Sequence, residues 1–239
     1  MSERKFDIYL EFNYSRLNLA AFSKTSYKLE YYKEQTYKSY FDNYKELNFE
    51  KLDTLLDKNI LAIEKSTGEF VRDIYLIVET PQSISIKLSV TKNNEGNKII
   101  KEEAMYLVQD AKQQLLKSNQ DLGIIHIIVE NYVLDDVKYK FLPLEKKCTK
   151  FSIDVKFICF PKALLKSFER LFLKQQIDII QFVCSNYLKK FDFVDVDKEK
   201  NICEYAKDIV QGINKQEVVS IPKELEKKGF FEKLFHFFK

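Results

Sequence analysis

The sequence is poor in glycine. Its 239 residues include only Gly68, Gly96, Gly123, Gly212 and Gly229. Loops that bind phosphate groups need glycines, because a side chain would keep the backbone N–H groups away from the phosphates. Neither a G-x-G-x-x-G nor a G-x-x-x-x-G-K-[ST] pattern occurs. The scarcity therefore excludes the Rossmann-type dinucleotide sites and the P-loop nucleotide sites.

Long apolar runs and a secretory leader are also lacking. No stretch approaches the roughly 18 consecutive apolar residues of a membrane-spanning helix. The first residues, MSERKFD, are charged and hold no apolar core, so we expect no signal peptide. The cysteines form no C-x-x-C pair and have no histidine at ligand spacing, which predicts free, buried thiols in a reducing cytoplasm. They are Cys148, Cys159, Cys184 and Cys203.

A large excess of positive charge is missing as well. The formal net charge is +3, which does not favour a nucleic-acid partner. Residues 26–44, SYKLEYYKEQTYKSYFDNY, are rich in tyrosine, and tyrosines can stack on the bases of a single strand. Because no basic motif frames these tyrosines, we interpret the stretch as a solvated β-ribbon or loop.

The apolar residues that are present follow both the helix period and the strand period. Alternating or continuous apolar runs predict strands, and apolar positions repeating every three or four residues predict helices. The pattern predicts a mixed α/β protein. The predicted strands are 6–12, 16–22, 73–80, 83–90, 123–136, 137–141, 151–161 and the start of 177–191, and the predicted helices are 48–67, 101–119, 162–177 and 201–214.

The last residues, KKGFFEKLFHFFK, form an amphipathic pattern. On a helix the phenylalanines and the leucine of this tail fall on one side, and the lysines, Glu232 and His236 fill the other. This pattern is typical of a helix lying in the interface of an anionic membrane. The alternative is a terminal helix docked on the protein itself or in a partner's groove. The predicted membrane-binding residues are Lys227, Lys228, Phe230, Phe231, Lys233, Leu234, Phe235, Phe237, Phe238 and Lys239.

Few residues suggest chemistry. His126 lies between isoleucines and has no paired nucleophile, so we interpret it as a buried, hydrogen-bonded histidine. Asp135 and Asp136 are neighbours, which favours a turn over a metal site. The acidic cluster at 192–199 lacks the glycine and the terminal glutamate of a calcium loop. The sequence therefore predicts neither an enzyme nor a metal site.

The order of these segments resembles FtsA, the actin-like protein that ties the bacterial division ring to the cytoplasmic membrane. LEFNYSRLNLAAF (10–22) lies where the family has its first phosphate turn. Residues 73–162 resemble the inserted subdomain 1C, a strand–helix–strand–strand unit also called SHS2. KALLKSFERLFLKQQIDIIQFVCSNYL (162–188) resembles the return into subdomain 1A, and the C-terminal tail resembles the family's membrane-targeting helix.

The first phosphate turn departs from the family pattern Asp-x-Gly-[Ser/Thr]-x-Lys. Glu11 stands for the aspartate, Asn13 for the glycine, Ser15 for the hydroxyl residue and Arg16 for the lysine. The side chains of Glu11, Asn13 and the neighbouring Tyr14 would crowd a phosphate. The family also has a second actin-like half after the position of Phe191, which this sequence lacks. The resemblance therefore implies no ATP or other cofactor, and it leaves binding to the tubulin homologue FtsZ an open question.

The resemblance implies a partial actin-like fold and an adaptor function. The expected parts are subdomain 1A (1–72 and 159–193), subdomain 1C (73–158), a linker (194–222) and a membrane-targeting helix (223–239). The adaptor would lie on the cytoplasmic face of the inner membrane at the division site. It would contact anionic lipids and present 1C to division proteins or to other copies of itself. The alternatives are a type IV pilus assembly protein of the PilM kind and a degenerate actin-like ATPase completed by oligomerisation.

Overall fold

The computed structural model describes residues 4–37, 41–42, 46–47, 49–191 and 200–218. The predicted membrane-binding tail and the acidic cluster lie outside these residues. Strands and helices are numbered in chain order. The strands are β1 (Phe6–Phe12), β2 (Arg16–Ser23), β3 (Leu29–Thr36), β4 (Phe41–Asp42), β5 (Glu46–Leu47), β6 (Asp73–Val78), β7 (Ile84–Asn93), β8 (Leu122–Leu134), β9 (Val137–Tyr139), β10 (Lys150–Pro161) and β11 (Asp178–Cys184); the helices are α1 (Phe49–Thr67), α2 (Lys101–Ser118), α3 (Lys162–Lys174), α4 (Ser185–Leu188) and α5 (Ile202–Val210).

The chain divides into two compact units. Unit 1 comprises Met1–Gln82 and Ala163–Gln211, and unit 2 comprises Ser83–Lys162 and Gly212–Lys239. Each unit has its own principal sheet. The mixed α/β class that the sequence predicts is confirmed.

Unit 1 is built on a five-stranded sheet in the order β11-β6-β1-β2-β3. The strands β1, β2 and β3 form an antiparallel meander, whereas β6 runs parallel to β1 and β11 runs parallel to β6. All six residues of β6 are buried, as expected for a central strand covered on both faces. Helices contribute apolar side chains to this core; Phe168 of α3, for example, stacks on Phe12 with 5.9 Å between ring centroids.

Unit 2 is an antiparallel sheet in the order β7-β10-β8-β9. Alternate residues of β10 are fully buried, because one face of the sheet packs into a core to which α2 also contributes. A short segment after α5 adds to this sheet: Glu217 bridges Ile128 of β8 in antiparallel fashion. Val218 donates its N–H to the carbonyl of Ile127 at 2.8 Å.

Two expected boundaries were wrong. The strand at 73–78 was expected in subdomain 1C, but β6 pairs with β1 and β11 in the sheet of unit 1. The helix predicted at 201–214 is present as α5, but it is not part of a linker, as the expected boundary of 194–222 implied. Asn201 and Glu204 form a capping box at its start, and Cys203, Ala206 and Ile209 are buried. A capped helix with an apolar face packs on a core and cannot serve as a free linker.

Two other predictions from the sequence are confirmed. The tyrosine-rich stretch contributes β3, an edge strand whose residues are exposed or half-buried. All four cysteines are free and buried. Among the helices that the structure describes, none is long and apolar enough to cross a membrane.

Candidate functional site

One edge of the unit 1 sheet gathers most of the polar residues expected at the first phosphate turn. Parallel strands end at a common edge, and ligands of α/β proteins bind beyond such carboxyl ends. Here β1, β6 and β11 end side by side, and the N–H of Glu79 donates to the carbonyl of Phe12 at 3.0 Å. Glu11, Asn13, Glu79 and Ser185 therefore lie at the place where a site would be expected.

Glu11 is buried at this edge, with only 1% of its surface exposed. One carboxylate oxygen accepts a hydrogen bond from the Ser185 hydroxyl at 2.8 Å, and the other accepts one from the Asn18 amide at 2.6 Å. Burial raises the pKa of Glu11 above its usual 4.5, while the hydrogen bonds from Ser185 and Asn18 partly lower it. The carboxyl group is thus occupied by the protein's own donors.

A chain of polar contacts leads from Glu11 to the surface. The Asn18 side-chain oxygen accepts a hydrogen bond from the Tyr32 hydroxyl at 3.2 Å, and that hydroxyl also lies 3.4 Å from Glu34. Glu34 pairs with Arg16 at 3.2 Å. Burial, followed by the charges of its neighbours, raises the pKa of Tyr32 to about 12. Arg16 is therefore engaged across β2 and β3.

The turn between β1 and β2 is closed by the side chain of Asn13. Its amide oxygen accepts the backbone N–H of Ser15 at 3.0 Å and that of Arg16 at 2.7 Å. The carbonyl of Asn13 accepts a hydrogen bond from the Tyr37 hydroxyl at 2.6 Å. Asn13 is not one of the described non-glycine residues that have a positive φ. The turn therefore does not use the left-handed conformation that favours glycine.

These residues do not fit a nucleotide phosphate. A phosphate turn offers free backbone N–H groups, but those of Ser15 and Arg16 are already taken by Asn13. The nearby carboxylates of Glu11 and Glu79 would repel an anion, and Lys189 is paired with Glu79 at 2.7 Å. Within the described chain, no group of three or more histidine, cysteine, aspartate or glutamate residues is placed to hold a metal ion.

A second buried polar pair lies in unit 2. The imidazole Nδ1 of His126 is 2.6 Å from a carboxylate oxygen of Glu217, and both residues are buried. The interpretation of His126 as a buried, hydrogen-bonded histidine is confirmed. Its partner was not foreseen, because Glu217 lies 91 residues away in a segment expected to be a linker. This pair anchors the segment that ends at Val218 to β8.

The two neighbouring aspartates form a turn, as predicted. Asp135 and Asp136 connect β8 to β9 with φ values of 43° and 71°. The Asp135 carboxylate accepts the N–H groups of Thr149 and Lys150, at 3.0 and 2.8 Å. It therefore secures the start of β10.

The chain matches no family model and no curated protein. Three solved structures share features of its fold. The first, from a PilM-PilN type IV pilus biogenesis complex, has 10% identity and a TM-score of 0.48, and the match covers 76% of this chain and 48% of that one. The second is the cytoplasmic domain of EpsL, an inner-membrane component of the type II secretion system of Vibrio cholerae, with 9% identity, a TM-score of 0.36 and coverages of 77% and 57%.

The third is a Bacteroides thetaiotaomicron protein with an actin-like ATPase fold and unknown function. It has 8% identity, a TM-score of 0.34 and coverages of 77% and 54%. The match thus spans about half the length of each of the three solved structures. At these identities and TM-scores the likeness carries no argument about function, and the partial actin-like architecture stays an expectation from the sequence.

Proposed function

We propose that the chain is a membrane-attached, actin-like adaptor protein that works without a nucleotide. The closed turn between β1 and β2 supports this proposal most directly, because Asn13 occupies the N–H groups that a phosphate would need. Since the edge is filled by the protein's own side chains, its role is structural, and the chain acts through binding to other molecules.

Membrane attachment is assigned to residues 223–239. Their phenylalanines and lysines have the spacing of an interfacial helix. A single short helix of this kind binds reversibly, because folding it on the membrane costs part of the free energy gained by burying its apolar side chains. Several copies held together would bind far more tightly. In this proposal the adaptor lies on the cytoplasmic face of the inner membrane.

Unit 2 is the unit that presents a surface to protein partners. It corresponds largely to the segment that resembles subdomain 1C, which in the FtsA family contacts other copies and later division proteins. We therefore place the adaptor at the division site. Assembly of a pilus, as in the PilM kind, is the other setting that the resemblance leaves open.

Vesicle co-sedimentation tests membrane attachment. The intact chain is compared with a full-length variant carrying Phe235→Ser and Phe238→Ser, using vesicles with and without anionic lipid. The variant keeps the net charge, so a loss of binding reports the apolar face alone. Phe70→Ser is the matched control, because Phe70 is 80% exposed in unit 1. Equal sedimentation of the double variant and the control would rule out the tail as the anchor.

A titration with fluorescent ATP and Mg²⁺ tests independence from nucleotide. We expect no saturable binding by the intact chain at concentrations where actin-like ATPases are saturated. Binding that appears only in an oligomeric fraction would favour the degenerate ATPase instead. The cellular setting is tested separately with a fluorescent fusion: a band at mid-cell supports division, and a signal confined to pilus assembly sites supports the alternative.

A further inference from the structure

Strand β9 and the connection from it to β10 expose apolar side chains in unit 2. Val137 is 54% exposed, Phe141 is 60% exposed and Leu144 is 43% exposed. Single exposed apolar residues are ordinary on a protein surface, but here three lie within eight consecutive positions. Aromatic and aliphatic side chains at the tip of a loop are suited to insertion into an apolar phase.

Lysines surround these apolar side chains. Residues 137–147 contain four lysines and one acidic residue, Glu145, which pairs with Lys98 at 2.7 Å. All four lysines are exposed. Two aspartates lie on the preceding turn, and the carboxylate of Asp135 is engaged by backbone N–H groups. The loop patch is defined as Val137, Lys138, Lys140, Phe141, Leu144, Lys146 and Lys147.

The loop patch has a fixed backbone. The N–H of Glu145 donates to the carbonyl of Ile99 at 3.0 Å, and the N–H of Ile99 donates to the carbonyl of Lys146 at 2.8 Å. Leu142 packs against the core of unit 2. Because these contacts hold the loop, its exposed side chains are displayed without the entropy cost of ordering a flexible segment on binding.

The C-terminal segment leaves the same edge of the same sheet. β9 pairs with β8 at Tyr132–Leu134, and the segment ending at Val218 pairs with β8 around Ile128. Because this pairing is antiparallel and Val218 bonds to Ile127, the segment runs along β8 away from the end that pairs with β9. The loop patch and the last described residue before the tail therefore belong to one sheet of unit 2, at different points along β8.

We propose that the loop patch is a second contact with an anionic lipid bilayer, in which Phe141 and Leu144 enter the interface and the lysines face the head groups. The lysines match the charge of such a surface, and the apolar residues gain from leaving water. The choice of a bilayer over an acidic protein surface rests on the proposed function of the tail. With both contacts engaged, unit 2 is the unit held next to the membrane.

Tryptophan fluorescence tests this contact directly, because the chain contains no tryptophan. Phe141→Trp places a single reporter in the loop patch of the full-length protein, and Phe70→Trp places one at an exposed site in unit 1. With anionic vesicles we expect a blue shift and quenching by brominated lipids for the first reporter and no change for the second. Identical spectra of the Phe141→Trp protein with and without vesicles would overturn the proposal.

Co-sedimentation separates the loop patch from the tail. Phe141→Ser with Leu144→Ser is expected to lower the membrane partition coefficient about tenfold or more, as loss of a buried apolar side chain implies. Lys138→Gln with Lys140→Gln, which leaves the apolar residues intact, is expected to lower it about fivefold per lysine and to weaken its salt dependence. Lys58→Gln and Phe70→Ser are the matched controls.

The two proposals fail in different ways. If the tail variant loses binding and the loop variants match their controls, the tail is the anchor and the loop patch is refuted. If the loop variants lose binding and the tail variant does not, the loop patch stands and the tail proposal falls. Circular dichroism establishes that each variant is folded. If an acidic protein, but not anionic vesicles, shifts the fluorescence of the Phe141→Trp reporter, the bilayer is the wrong partner.

Discussion

The turn after β1 and the loop after β9 use their side chains in opposite ways. In the turn, the polar atoms of Asn13 and Glu11 are already bound by backbone groups and side chains of the same unit. In the loop, Phe141 and Leu144 expose their apolar surface to solvent, beside exposed lysines. A segment whose groups are already satisfied has little left for a ligand, whereas an exposed apolar and basic segment gains free energy by binding.

The first prediction concerns what holds the C-terminal segment on unit 2. Glu217→Leu leaves the buried imidazole of His126 without its carboxylate partner, and we expect the free energy of unfolding to fall by about 3 kcal/mol. Urea denaturation followed by circular dichroism measures this change. The control Glu145→Gln alters an exposed carboxylate in the same unit and should have a far smaller effect.

A double variant separates the two explanations for that loss. If the cost comes from the histidine that has lost its carboxylate, adding His126→Leu to Glu217→Leu should restore much of the stability, because an apolar pair often replaces a buried polar pair at little cost. If stability does not recover, the loss comes from packing of the segment and the buried pair is not its main anchor.

The second prediction concerns the inward-facing network of unit 1. Asn18→Leu removes the 2.6 Å hydrogen bond to the buried carboxylate of Glu11, and we expect unfolding to require about 2 kcal/mol less. Arg16→Gln, at the exposed end of the same polar chain, should change stability by less than about 1 kcal/mol. Equal effects of the two substitutions would show that burial does not distinguish them.

The third prediction is a pH dependence. Burial raises the folded-state pKa of Glu11, so the folded protein binds this proton more tightly than the unfolded chain does. The resulting stabilisation is complete below the unfolded pKa, near 4.5, and is lost as the pH rises through the folded pKa. We therefore expect the stability of the original protein relative to Glu11→Gln to fall as the pH rises above 4.5. A constant difference between the two unfolding curves across this range would contradict the raised pKa.

The smallest expected effect is at the β8–β9 turn. Asp136 adopts a φ of 71°, which a glycine adopts without strain. Asp136→Gly would produce the Asp-Gly pair that two-residue hairpin turns prefer, and we expect a gain of about 0.5 kcal/mol. The melting temperature measures it. Asp136→Ala, which keeps the strain, is the control and should show no such gain.

Local patterns along the chain predicted most elements of both units. The strand at 6–12 and the helix at 101–119 come within a residue of β1 and α2, because burial of one face imposes a period that is visible over ten residues. The predicted turn at Asp135 and Asp136 also follows from short-range chemistry. The prediction that 73–78 belongs to the inserted subdomain was wrong, because the residues of a strand do not determine which strands pair with it in a sheet.

The candidate site shows the same limit. The sequence identified Glu11, Asn13, Ser15 and Arg16 as departures from a phosphate turn. It did not show that Glu11 is bound by Ser185, which is 174 residues away. It did not show that Glu217 would reach His126 either, since the residues around Glu217 carry no strand pattern of their own.

By itself, the sequence determined the periodicities that place strands and helices, the scarcity of glycine and the amphipathic pattern of the last residues, all of which depend on neighbours in the chain. The tertiary structure decided which carboxylates are buried, which strands share a sheet and which apolar residues stay in solvent. Those outcomes depend on contacts between distant segments, whose free energy exists only after the chain has folded and the entropy of closing long loops has been overcome.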